Sequence, residues 1–197
     1  EMGEHWHKEA LFERKKNSFL DYIAVANHLI EQKYTYKGGI CFLGGSAGGL
    51  TGTAVANMAP ELFFSMVLLV PFCDPLTTML NEKLPLTPSE WELWGNPIKS
   101  KKYFKSILSY APYNNLRKTS YPPMFVTTSL FDSRVLYSEP VKYVAKLREL
   151  KDDKNLQLLK CKMKAASHGG PSGRDNSIKE LAEEFSYILK TAEIKNY

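Results

Sequence analysis

The sequence lacks any uncharged apolar run near the roughly 18 residues that a membrane-spanning helix needs, so no membrane role is expected. It also lacks a basic stretch leading into an apolar one at its start, so no secretory signal is visible. It begins with Glu1 rather than Met, as a trimmed piece of a longer protein would. Cysteine is scarce: Cys41, Cys73 and Cys161 are odd in number and form no CxxC. A disulfide framework is thereby excluded, and free, mostly buried thiols in a reducing compartment, the cytoplasm, are expected. There are only four histidines. His5 and His7 have a ligand-like spacing, but no Cys, His or carboxylate motif completes a metal site, and no metal or organic cofactor is expected. Repeats and low-complexity tracts are absent, and the 12 Gly and 11 Pro are dispersed. No run of one charge sign is long. Lys and Arg number 26 against 21 Asp and Glu, a net charge of +5, but the basic residues are scattered. Arg14-Lys15-Lys16 and Lys99-Ser100-Lys101-Lys102 read as solvated surface, not as a nucleic-acid interface.

What is present is an apolar content of 44% in 197 residues, enough for the core of one domain over residues 1–197. Phe19, Tyr22, Ile23, Ala26, Leu29 and Ile30 fall on one face of a helix, with Ser18 and Asp21 as an imperfect capping box at its start. Gly38-Gly39 stops it. Ile40 to Leu43 suits a central strand, and Leu50 to Met58 a helix of small residues. Phe64 to Val70 is a second strand, ended by Pro71. Residues 72–121 read as a proline-bearing excursion with short helices. Met124 to Thr128 is a third strand. Ser138-Glu139-Pro140 opens a helix whose buried face would be Val141, Val144, Ala145 and Arg148 or Leu147. Leu156 to Cys161 is a fourth strand. The capping box Ser177-x-x-Glu180 opens the cleanest amphipathic helix, with Ile178, Leu181, Ala182, Phe185, Ile188 and Leu189 on its apolar face. Strands alternating with helices predict an α/β fold with a mainly parallel sheet, flanked by helices. In such sheets ligands bind beyond the carboxyl ends of the strands.

Chemistry-bearing residues sit at those ends. Gly44-Gly45-Ser46-Ala47-Gly48-Gly49 fits G-x-S-x-G in a strand-to-helix setting. This elbow exposes a nucleophilic hydroxyl on a sharp turn, with glycines where strand and helix approach. The backbone N–H of Ala47, at the helix N-terminus, can stabilise an oxyanion. Asp132 follows the third strand, and His168 lies in Ser167-His168-Gly169-Gly170 after the fourth. Serine, acid and histidine in that chain order is the α/β-hydrolase order. Ser46 would attack, His168 would take and return the proton, and Asp132 would orient the imidazole.

These flanks, with Asp132-Ser133-Arg134-Val135, Val70-Pro71-Phe72-Cys73-Asp74 and Leu86-Thr87-Pro88-Ser89-Glu90-Trp91-Glu92-Leu93-Trp94-Gly95-Asn96-Pro97, resemble the prolyl oligopeptidase family of serine peptidases. Ala47 after the nucleophile looks like the branch that cleaves after basic residues. The resemblance covers almost the whole chain. It implies the C-terminal part of an α/β-hydrolase catalytic domain that cleaves short peptides after Arg or Lys. Glu90 and Glu92 match the family positions associated with that preference, and Arg134 resembles a residue that holds the bound peptide. A carboxylate is the physical partner such a cationic side chain needs on leaving water. The resemblance also implies that a β-propeller domain, the sheet's first strands and a Tyr oxyanion donor lie upstream of this chain. A post-proline peptidase or esterase using the same triad, and an inactive piece that needs an N-terminal partner, remain open at this point.

Overall fold

The computed structural model describes residues 2–164, 167–170 and 173–193. Helix α1 (Glu4–Lys8) and a 3-10 turn at Phe12–Arg14 lead into α2 (Asn17–Glu31). Strand β1 (Ile40–Gly45), α3 (Ala47–Met58) and β2 (Phe63–Leu69) follow. The excursion carries α4 (Pro75–Met79), α5 (Thr87–Trp94), α6 (Lys101–Leu108) and α7 (Pro112–Asn115). Then come β3 (Met124–Ser129), α8 (Ser138–Leu150), β4 (Gln157–Lys162) and α9 (Arg174–Thr191). The alternation read from the apolar runs is therefore the alternation that forms. No helix among the described residues is long and apolar enough to cross a membrane.

The four strands are all parallel and neighbour one another in chain order, β1-β2-β3-β4. Gly45 pairs with Leu69, Leu69 with Thr127, and Ser129 with Lys162. This register brings the carboxyl ends together, so Ser46, Val70, Leu130 and Met163 emerge along one end of the sheet. Successive strand residues face opposite sides. Met66, Leu68, Met124 and Val126 join Phe19, Phe42, Leu50, Tyr143 and Leu147 in the large core on one side. On the other side Val67 and Phe125 meet Tyr187 of α9, with the Phe125 and Tyr187 rings 5.5 Å apart. Each large apolar side chain buried this way is worth about 1.5–3 kcal/mol over an exposed one.

Several local expectations are corrected. Ser18 and Asp21 do not cap α2, which begins at Asn17 after a residue that is already helical. The chain runs in from the 3-10 turn, and Asn17 instead donates its side-chain amide to Glu9 O at 2.8 Å. The Ser177–Glu180 box also fails. Gly173, at φ 104°, starts α9 one turn earlier, and the Ser177 hydroxyl donates back to Gly173 O at 3.2 Å. The buried face of α8 keeps Val144 and Leu147 of the expected set and adds Glu139, Pro140 and Tyr143, whereas Val141 is half-buried and Ala145 and Arg148 are exposed. On α9, the stripe of Ile178, Leu181, Phe185 and Leu189 is about half exposed, and only Tyr187 is buried.

Candidate active site

Ser46 occupies the turn between β1 and α3 with φ 53° and ψ −119°. A positive φ costs a residue with a Cβ about 1–3 kcal/mol and persists only where surroundings over-determine it. Here three backbone bonds do so. The Ser46 N–H donates to Leu69 O at 2.9 Å, and Ser46 O accepts from Leu50 N–H at 3.1 Å and Phe72 N–H at 3.0 Å. The hydroxyl makes no cap on α3. Ala47 opens α3, so its N–H is among those without an intrahelical acceptor and lies where a helix N-terminus favours negative charge.

The glycines divide the work differently from expectation. A Cβ on Gly44 would lie 2.7 Å from the Phe42 ring and 3.1 Å from Gly48 O, so strand and helix do approach there. A Cβ on Gly48 would meet nothing within 4 Å. Gly49 makes the close approach instead, with 2.5 Å from its would-be Cβ to Pro71 Cα.

Asp132 lies three residues past β3, 5% exposed. Its Oδ1 accepts the backbone N–H groups of Arg134 at 2.8 Å and Val135 at 3.0 Å. Its Oδ2 lies 2.8 Å from His168 Nδ1. A carboxylate there selects the tautomer protonated at Nδ1 and leaves Nε2 as an acceptor. The His168 loop is closed by Gly170 N–H donating to Ser167 O at 2.9 Å. The ion pair between Lys162 of β4 and Glu180 of α9 abuts Gly170. Sheet and helix thus both brace this loop. No hydrogen bond from Ser46 to His168 is formed among the described residues; such bonds are often long in a free enzyme and tighten with substrate.

Ser46 and Ala47 open onto a pocket of about 330 Å³. One wall comes from α4 and α5 with the segment between them, including Thr78, Met79, Leu86, Thr87, Glu90 and Trp94. The other is Ser133 to Leu136, just after Asp132. Glu90 is half-buried and accepts from Trp94 Nε1–H at 2.9 Å. Trp94 packs on Phe72, and Lys15 Nζ lies 4.6 Å from the centre of the Trp94 ring. Burial pulls the Lys15 ammonium below its ordinary pKa. The exposed Arg134 side chain lines the same pocket as Glu90. Glu92 is exposed and not among the lining residues. Because 87–94 is a helix, residues two apart lie on different faces. Trp94 was not singled out from the sequence. Its signal was its position four residues after Glu90, on the same helical face.

The strained elbow after β1, with the acid after β3 and the imidazole after β4, is the arrangement of the α/β-hydrolases. Within that class the chain belongs to the prolyl oligopeptidase family, whose model it matches over residues 1–195. It is 49% identical over 189 residues to Protease 2 of Moraxella lacunata, covering 96% of this chain and 27% of that protein. Dipeptidyl aminopeptidase BI of Pseudoxanthomonas mexicana is 46% identical, with 96% of this chain and 26% of that protein covered. Among solved structures, oligopeptidase B of Trypanosoma brucei with covalently bound antipain superposes at a TM-score of 0.95 with 41% identity. That match covers 100% of this chain and 28% of the other. Oligopeptidase B of Leishmania major gives a TM-score of 0.89 at 42% identity, covering 93% and 25%. The chain spans about a quarter of the length of these relatives.

Proposed function

We propose that this chain is the C-terminal catalytic part, residues 1–197, of a serine oligopeptidase that cleaves short peptides after Arg or Lys. The observation that carries the reading is the Asp132–His168 contact of 2.8 Å at the same end of the sheet as a serine held at φ 53°. Ser46 Oγ attacks the scissile carbonyl while His168 Nε2 takes its proton. The oxyanion that forms accepts from the Ala47 N–H. Collapse of the intermediate passes the proton from Nε2 to the departing amine. Water, deprotonated by the same nitrogen, then releases the acyl group from Ser46. Asp132 stays ionised and steadies the imidazolium throughout.

Glu90 is the group that meets a basic P1 side chain in this proposal. Its carboxylate is anchored on one oxygen by Trp94 and stands in the pocket that Ser46 opens onto. Arg134 lines the same pocket and would hold a carbonyl or carboxylate of the bound peptide. Glu92, exposed beyond the pocket, is left without a part in P1 binding. The upstream propeller domain or N-terminal piece implied by the family is the partner this reading calls for. The free state of all three cysteines supports a cytoplasmic setting.

Phe72, Met79, Leu86, Trp94 and Val135 give the same pocket apolar walls, which favours a second reading with an uncharged P1 residue. Glu90→Gln separates the two. A hydrogen bond to a charged group contributes about 1.5–3 kcal/mol, so kcat/KM for Arg peptides should fall by about 10- to 150-fold, with neutral P1 peptides little changed. An unchanged Arg preference would leave the apolar reading standing.

A further inference from the structure

We infer that Glu139 is a positioning residue that ties together the two walls of the Ser46 pocket and thereby sets how tightly a peptide side chain entering it is held. The inference rests on the reading of Ser46 as a nucleophile but not on the identity of the P1 residue. Glu139 is 3% exposed, at the start of α8. Its Oε1 accepts the Thr78 hydroxyl at 2.6 Å, and its Oε2 accepts the Asp74 backbone N–H at 2.9 Å. Thr78 lines one wall of the pocket, and Thr78 O accepts the hydroxyl of Thr87, from the same wall, at 3.0 Å. On the other side, the Glu139 N–H donates to Leu136 O at 2.9 Å. Leu136 and Val135 line the pocket as well, and the Val135 N–H is held by Asp132. One buried residue therefore joins the α4–α5 wall, through its carboxylate, to the loop that carries the acid, through its backbone N–H. A glutamate in the first turn of a helix needs no burial to favour the dipole, so its inward turn calls for another reason.

The neighbours of this carboxylate come from three elements. Asp74, at the start of α4, pairs its own carboxylate with Lys142 of α8. Lys142 Nζ also lies 4.8 Å from the centre of the Tyr113 ring of α7. Cys73 and Tyr143 are fully buried nearby, both with pKa values raised by burial. Burial pushes the Glu139 carboxyl up to about 7, helped by Asp74 and opposed by its two hydrogen bonds and by Lys142. The sign follows. A carboxyl raised in the fold favours the folded state at acid pH, and that contribution is lost as pH rises through about 7. The charged form that accepts both donors is the form folding disfavours. Taking up a proton as pH falls turns one acceptor into a donor and loosens one of the two ties.

The test compares the chain with Glu139→Gln, Thr78→Val and the double variant. Two readouts are taken: KM and kcat for an Arg peptide that fills the pocket, and the labelling rate of Ser46 by a short alkyl fluorophosphonate that does not. Each single variant should raise KM about tenfold, the effect of losing one hydrogen bond to a charged acceptor. In Glu139→Gln the phosphonate rate should stay within about twofold, and the double variant should be no worse than Glu139→Gln alone. The unsubstituted chain should also show KM rising below about pH 7, a dependence absent from Glu139→Gln. Equal losses in both readouts, or additive effects of the two substitutions, would mean that Glu139 only supports the fold. Absence of Ser46 labelling in the folded, unsubstituted chain would overturn the nucleophile reading, and this inference with it.

Discussion

Asp132→Asn should lower the rate of peptide hydrolysis by about 10⁴ while leaving the fold in place. Two oxygens of Asp132 have separate tasks. Oδ1 accepts from the Arg134 and Val135 N–H groups, and an asparagine oxygen can keep both bonds. Oδ2 faces His168 Nδ1, and there the substitution places an NH₂ donor. An imidazole opposite a donor must present Nδ1 as its acceptor, so its proton moves to Nε2. That nitrogen can then no longer take the proton of Ser46. The loss is thus one of tautomer, with no cavity and no orphaned backbone group. Steady-state kinetics and a melting curve on the same sample check this. A loss below about tenfold, or a loss that parallels unfolding, would remove Asp132 from the role of orienter.

Gly49→Ala is expected to be far more damaging than Gly48→Ala, although the two residues are adjacent in the same helix. A methyl on Gly49 would lie 2.5 Å from both Pro71 Cα and Pro71 Cβ, within a backbone that cannot yield cheaply. Pro71 follows Val70, itself held at φ 42°. Overpacking of this kind costs about 1–3 kcal/mol, against a gain of at most about 1 kcal/mol from replacing glycine in a helix. The start of α3 would shift, carrying the Ala47 N–H with it, so activity should fall along with stability. A methyl on Gly48 meets nothing within 4 Å, and only the helix-propensity gain remains. Melting temperatures should therefore move in opposite directions, by about 2–4 °C per kcal/mol for a chain of this size. Equal destabilisation by the two would contradict the close approach at Pro71.

The parts of the fold that the sequence disclosed were those set by pattern. Short apolar runs such as Ile40 to Leu43 and Met124 to Thr128 are too brief for helices and form strands; the second is central, but β1, expected to be central, lies at the edge of the described sheet, paired only with β2. Their ends located Ser46, Asp132 and His168 before any packing was known. What stayed hidden depends on which way a side chain turns. Glu139 stands in the sequence only as part of Ser138-Glu139-Pro140 at a helix start, and nothing there signals its burial, for which Thr78 and Asp74, over 60 positions away in the chain, supply the donors. Glu90 and Glu92 read as a pair until Thr87–Trp94 proves helical, with Pro88 tolerated in its first turn. The caps at Ser18 and Ser177 failed because residues outside each motif, the 3-10 turn and Gly173, had already started the helix. On α9 the amphipathic pattern is real, but much of its stripe stays half exposed because one side chain, Tyr187, makes the buried contact with the sheet.

The central claim is that Ser46 is an activated nucleophile, and fluorophosphonate labelling tests it most directly. The chain and its Ser46→Ala variant, each shown to be folded by circular dichroism, are incubated with the reagent and the modified residue is found by mass spectrometry. The expected result is a single adduct on Ser46, absent from Ser46→Ala and strongly reduced in Asp132→Asn. An adduct elsewhere, or none on Ser46 in the folded chain, would contradict it.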